Sequence, residues 1–282
     1  MSIEVKNLTK NYGSTCALDN VSLKFEENTI YGLLGRNGAG KTTLLNIITN
    51  HIFSNEGEVL VDGVPAREND SAQQKIYLMS EKDYYPEKMK IKDIYRWTGT
   101  FYPGFDMEYA MHTSELFELN TDKAVRALST GFNSIFKVII ALSVNTPYVL
   151  LDEPVLGLDA NNRELFYRLL IEKYSSNPCT IVVSTHLIEE VSNVIENVLI
   201  IKKGKIIRDE TREELLSKGY TVSGAAAKID SYILGRNVIG TDNLGGLKSA
   251  YILGDLDRAG VPEGIEVTKM DLQKLFVQLT NY

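Results

Sequence analysis

Two groups of residues in this 282-residue chain have the types and spacing needed for phosphate chemistry. In GRNGAGKT, Gly35, Gly40, Lys41 and Thr42 fit the spacing G-x-x-x-x-G-K-[ST] in full. Glycines let a backbone wrap closely around phosphate oxygens, while successive N–H groups at a helix N-terminus supply positive potential. The loop therefore nominates Asn37, Gly38, Ala39, Gly40, Lys41, Thr42 and Thr43 for binding a nucleoside triphosphate. Lys41 would reach the β and γ phosphates and the Thr42 hydroxyl would face Mg²⁺. The alternative is a glycine-rich turn that merely suits a strand–helix junction. A second group closes the apolar stretch TPYVLLDEP, residues 146–154. Period-2 geometry sends Asp152 and Glu153 to opposite sides, so they cannot share one task. Asp152 is the candidate to orient Mg²⁺, and Glu153 the candidate base that polarises an attacking water. A charged strand end meeting solvent is the alternative.

These side chains need a scaffold, and the hydrophobic pattern predicts one. IEVKNL (3–8) and VSLKF (21–25) alternate as half-buried strands, so the chain opens with antiparallel β. TIYGLLG (29–35) is a buried strand entering the glycine loop, and the spacing of Leu44, Leu45, Ile47, Ile48 and Ile52 predicts a helix over 41–52. GEVLVDG (57–63) reads as a strand closed by an Asp-Gly turn, and KIYLM (75–79) as another. Residues 83–145 look mostly helical. YVLLD (148–152) and TIVVST (180–185) are buried strands, and 197–210 is a hairpin turning at Lys203-Gly204. Thr211 and Glu214 have capping-box spacing, and Gly219 stops the helix they open. The expected division is therefore a nucleoside-triphosphate-binding domain over 1–219, with a helical subdomain at about 83–145, and a small α+β accessory domain over 220–282. That second part carries short β-like runs, a helix at 224–233 and an amphipathic close from Asp271 to Leu279.

Composition narrows the class. Hydrophobic residues make up 44% and charged residues 24%, ordinary for a folded globular chain. A net charge of −7 without a long Lys/Arg run disfavours nucleic acid as a partner. The two cysteines, Cys16 and Cys179, form no CxxC and suggest neither a disulfide framework nor a zinc site. No window approaches the roughly 20 apolar residues that cross a bilayer, so any service to a membrane is expected from its cytoplasmic face, as a peripheral subunit.

The order of motifs resembles the ATP-binding subunit of ABC transporters. Glycine loop, Leu128-Ser129-Thr130-Gly131, the strand ending LLDE, Gly157-Leu158-Asp159 and Ser184-Thr185-His186 follow the family's sequence over residues 1 to about 219. Within the family the pattern looks nearest to ATPases of bacterial multidrug or antimicrobial-peptide exporters. The resemblance implies an α/β fold: a P-loop NTPase core with a mixed sheet, an antiparallel β subdomain and a helical subdomain. It also implies ATP and Mg²⁺ as ligands, hydrolysis, a second ATP-binding subunit (a copy or a paralogue), and a separate transmembrane permease.

Residue by residue, Tyr12 matches the aromatic that stacks on adenine, or else packs the opening sheet. His186 matches the histidine that contacts the γ-phosphate; His51 and His112 match nothing. Asp159 matches the acidic residue that communicates across the dimer, or else caps the following helix. Ser129 and Gly131 match the signature turn that completes the opposite subunit's site, although Thr130 and Phe132 stand where Gly and Gln are usual. After KIYLM the family has a glutamine that senses metal and permease. Here Ser80 and Glu81 follow, and Glu81 is taken as the equivalent. The aromatic stretch from Tyr95 and Trp97 to Phe101 and Phe105 is a candidate permease-docking groove, or else helical core. Two other readings compete: a soluble ABC-type ATPase of repair or translation, which would carry a second cassette or a coiled-coil insertion, and a regulatory module that holds ATP without turnover.

Overall fold

The computed structural model describes residues 1–256 and 260–281. In chain order, β1 (Ser2–Tyr12) and β2 (Thr15–Glu26) make an antiparallel ribbon, and β3 (Ile30–Leu34) runs into the glycine loop and α1 (Lys41–Ile48). β4 (Glu56–Val61) adds to the free edge of β1 and turns through Asp62 and Gly63, both at positive φ, into β5 (Val64–Pro65). α2 (Asp70–Gln73) and β6 (Ile76–Met79) lead to three helices, α3 (Ile91–Phe101), α4 (Met107–Leu116) and α5 (Thr130–Ser143). β7 (Tyr148–Asp152), α6 (Ala160–Ser176), β8 (Thr180–Thr185), α7 (Ile188–Val191), β9 (Asn197–Lys202), β10 (Lys205–Thr211) and α8 (Arg212–Ser217) complete the main body. The remainder is β11 (Gly219–Ala225), α9 (Ala226–Tyr232), β12 (Val238–Leu244), β13 (Leu247–Leu253), β14 (Ile265–Lys269) and α10 (Leu272–Thr280).

The central sheet has the order β10-β9-β3-β8-β7-β6, parallel throughout except for the β10 edge. Its strands are apolar on both faces because both are covered. Tyr31, Leu33, Leu150, Val182 and Leu199 point to α1 and the antiparallel ribbon. Ile30, Leu34, Leu151, Ile181 and Val183 point to the helices on the other side. Each such side chain is worth about 1.5–3 kcal/mol on burial, so the strand ends that bear the chemistry are rigidly held.

Several boundaries differ from the sequence pattern, among them the helix expected over 224–233: Gly224 and Ala225 end β11, and α9 starts at Ala226. α1 stops at Ile48, because Asn50 adopts φ 57° and the amide of His51 turns back to Asn46; Ile52 packs on the core from outside the helix. α8 ends at Ser217, and Gly219 instead opens β11, where a Cβ would come within 2.6 Å of Leu275 Cδ1. The Thr211/Glu214 capping box is present.

The last sheet, ordered β12-β13-β11-β14, buries Val222, Ala250 and Ile252 beneath Ile229 and Tyr232 of α9. Its closing helix behaves differently. Leu272, Leu275 and Phe276 of α10 enter the large core together with Ile188 and Val191 of α7 and Leu215 of α8.

Candidate functional site

Parallel β3, β7 and β8 all deliver their C-terminal ends to one edge of the sheet, the usual place for a ligand in such folds. The glycine loop leaves β3 there. A Cβ on Gly40 would lie 2.6 Å from the carbonyl oxygen of Ala17, and Gly40 takes φ 113°, so this position admits only glycine. Lys41 is buried. Its Nζ donates to the carbonyl oxygen of Gly35 at 2.7 Å and pairs with Glu153 Oε1 at 3.3 Å.

Asp152 and Glu153 do diverge. Asp152 accepts from the Thr42 hydroxyl at 2.7 Å and the Ser184 hydroxyl at 2.8 Å. Burial pushes its carboxyl above the ordinary carboxylate range; those two hydrogen bonds pull it down, and the neighbouring Glu153 charge raises it further. Glu153 accepts from the Thr185 hydroxyl at 3.0 Å, and His186 Nδ1 lies 2.9 Å from its Oε1. Its backbone takes φ 50°, a conformation that costs a non-glycine residue about 1–3 kcal/mol and clusters at functional sites. The Glu153 amide, donating to Ser184 O at 2.8 Å, helps to hold it there.

Thr42 and Asp152 present hard oxygens side by side, a donor set that suits Mg²⁺, which takes few protein ligands and completes its shell with phosphate and water. No cluster of three or more His, Cys, Asp or Glu able to hold a metal occurs among the described residues, so an ion here would depend on phosphate oxygens as well.

A cleft of about 410 Å³ gathers Asn37, Gly38, Ala39, Gly40, Lys41, Thr42 and Thr43 with Glu81, Glu153 and His186. Ser80 is buried and its hydroxyl accepts from the Lys82 amide, leaving Glu81 as the residue that lines the cleft. Tyr12 sits half exposed at the end of the β1–β2 hairpin with Lys10 Nζ 5.2 Å over its ring, outside the cleft lining; Ala17 of the same hairpin lines it instead.

Ser129, Gly131 and Asp159 also lie apart from the glycine loop. The Ser129 hydroxyl accepts from the Phe132 amide and caps α5, and a Cβ on Gly131 would meet Gly157 O at 2.9 Å, so the signature turn rests on the loop after Glu153. Asp159 caps α6, accepting from the Asn162 amide at 2.9 Å. Ser129 opens on a second cavity, of about 610 Å³, whose walls include Glu81, Asp152 and Glu153.

Sequence reasoning gave no role to Ser184 or Thr185, whose hydroxyls hold the two carboxylates, nor to Lys137, whose ammonium grips residues 80–83. A lysine inside the apolar run FKVIIA was the available signal.

A glycine loop at the end of a buried parallel strand, facing a carboxylate pair at the end of the next but one, defines a P-loop nucleoside-triphosphate hydrolase. The ABC transporter family profile matches residues 18–156. The chain is 30% identical over 218 residues to the ABC transporter ATP-binding protein YtrB of Bacillus subtilis (strain 168), covering 76% of this chain and 75% of that protein. It is 31% identical over 214 residues to the tungstate uptake system ATP-binding protein TupC of Peptoclostridium acidaminophilum, covering 73% and 97%. The dimeric post-hydrolysis structure of the ATP-binding cassette MJ0796 bound to ADP and Pi superposes with a TM-score of 0.66 at 26% identity, over 74% of this chain and 98% of that one. The chain belongs to the ATP-binding proteins of ABC transporters, and its activity is ATP hydrolysis. With an uptake protein among such relatives, membership of the family does not carry the direction of transport. No helix among the described residues is long and apolar enough to cross a membrane.

Proposed function

We propose that two such subunits close on ATP, each glycine loop being completed by the partner's Ser129 turn, and that hydrolysis at Glu153 reopens them to drive a separate permease. One observation carries this reading. Within a single chain the glycine loop and the Ser129 turn line two adjoining cavities that share Glu81, Glu153 and Leu156, and no residue of the Ser129 turn lines the one that holds Lys41, which leaves that turn available to a second chain.

In the proposed sequence the incoming phosphates take Lys41 away from Glu153. The freed carboxylate, still held by Thr185, takes a proton from the attacking water, while His186 keeps its 2.9 Å contact and faces the γ-phosphate. When bound, Mg²⁺ beside Thr42, Asp152 and Glu81 neutralises charge on the phosphates. Tyr12 is proposed to stack on adenine, after moving towards the cleft mouth, and Asp159 to face the partner subunit.

The permease is proposed to dock on the helical side, from the cytoplasmic face of the membrane. A groove of about 600 Å³ between α2, β6 and α3 is lined by Tyr77, Tyr85, Met89, Trp97, Phe101 and Tyr102. Trp97 and Phe101 are 54% and 65% exposed and stacked, whereas Tyr95 is fully buried and belongs to the core. Export of a drug, lipid or peptide is the direction suggested by the motif resemblance. Lys41→Ala tests the site: ADP and ATP affinity should collapse in a calorimetric titration, and unchanged affinity refutes the assignment. Fractionation tests the partner, since the chain should follow the membrane only when its permease is co-expressed.

A further inference from the structure

α5 carries one charged residue in the middle of an apolar stretch, Lys137, only 5% exposed. A buried ammonium is costly unless all three of its donors are satisfied. Here they are. Lys137 Nζ lies 2.6 Å from Asp83 Oδ1, 2.7 Å from the carbonyl oxygen of Glu81 and 3.2 Å from that of Ser80. One turn earlier on the same helix, Asn133 Nδ2 donates to both Asp83 oxygens, at 2.8 and 2.7 Å. Burial pushes the Asp83 carboxyl up, but the hydrogen bonds from Lys137 and Asn133 outweigh it and leave it below its ordinary value. A third hold lies just beyond, where Tyr85 meets Phe136 of α5 edge-on, ring centres 4.8 Å apart.

The segment so held lies between β6 and α3 and has no helix or strand of its own. Its Glu81 lines the nucleotide cleft, and its Tyr85 walls the apolar groove. The helix that holds it begins at Ser129 and Gly131. We propose that Lys137 is a positioning residue for ATP hydrolysis: by fastening residues 80–83 to α5, it fixes the Glu81 carboxylate relative to both the nucleotide cleft and the signature turn. The inference rests on the roles given above to Glu81 and the Ser129 turn.

Lys137→Met keeps the apolar stem and removes all three donors. In the full chain, ADP affinity should stay within about twofold of wild type, because the phosphate loop is untouched, while kcat falls about tenfold or more with KM within about threefold. Trypsin should cut after the exposed Lys82 several-fold faster, because the segment is no longer tied down. Asp83→Asn should lower kcat less, and the double variant should fall no further than Lys137→Met alone, since both act through one clasp. Wild-type kcat per folded molecule, additive losses, unchanged cleavage after Lys82 or a collapse of ADP affinity would each overturn the proposal. A lowered melting temperature with kcat per folded molecule intact would reduce Lys137 to a structural role. If the wild-type chain hydrolyses no ATP, the proposed function fails, and the cleavage rate still judges the clasp.

Discussion

Glu153→Gln should separate ATP binding from hydrolysis and, less obviously, tighten the binding. The glutamine keeps the size and a carbonyl that can accept from Thr185, but it takes no proton, so turnover should fall by about 10²–10⁴-fold, or roughly 3–5 kcal/mol of barrier. The gain in affinity follows from Lys41. Its ammonium pairs with Glu153 at 3.3 Å, worth about 5 kcal/mol of bare Coulomb energy at an effective dielectric of about 20. The desolvation of two buried groups cancels most of that, leaving about 1–2 kcal/mol that incoming phosphates must overcome. Removing the carboxylate charge removes this competition, so ATP should bind about 5–30 times more tightly. Single-turnover phosphate release measures the first effect and calorimetric titration of ATP into the variant the second. Turnover close to wild type would refute the base assignment. Weaker ATP binding would refute the competition for Lys41.

Three further outcomes follow from local geometry. Gly40→Ala places a methyl 2.6 Å from Ala17 O at a φ of 113°, so the loop must shift; nucleotide affinity should drop by at least about tenfold with the far-ultraviolet circular dichroism unchanged. Leu275→Ala hollows the contact between α10 and the main core, costing about 2–5 kcal/mol and lowering Tm by about 5–15 °C in a thermal scan, while ADP affinity per folded molecule persists. Alkylation at pH 8 should label exposed Cys16 and spare Cys179, whose thiol burial pushes up to about 11, until the protein is unfolded; mass spectrometry of the peptides reads the difference.

Short-range features of this protein were legible because each rests on local chemistry. Strands 148–152 and 180–185, the Lys203-Gly204 turn and the Thr211 cap appear where apolar runs, a glycine at φ 77° and a capping box require them. The glycine loop follows equally from spacing; Asp152 and Glu153 do diverge, but Glu153 lies past the end of β7 at φ 50°, so the turn and not the pleat sets its direction. Contacts across long sequence separations left no such trace. Nothing near Gly131 reveals that its backbone rests on Gly157, and the amphipathic pattern of α10 says it must be covered without saying that α7 and α8 cover it. Tyr95 and Trp97 look alike in sequence, two residues apart on α3. One is buried against Ser114 and the other lines the groove, a difference set by which helix face α4 happens to meet.

The central claim is that ATP joins two chains through the Ser129 turn, and sedimentation of Glu153→Gln with ATP tests it most directly. The account predicts a stable dimer with ATP, a monomer with ADP, and no dimer when Ser129→Arg is added to the same background, with ATP still bound to each separate chain. A monomer at every protein concentration with ATP bound, or an ATP-dependent dimer indifferent to Ser129→Arg, would contradict it.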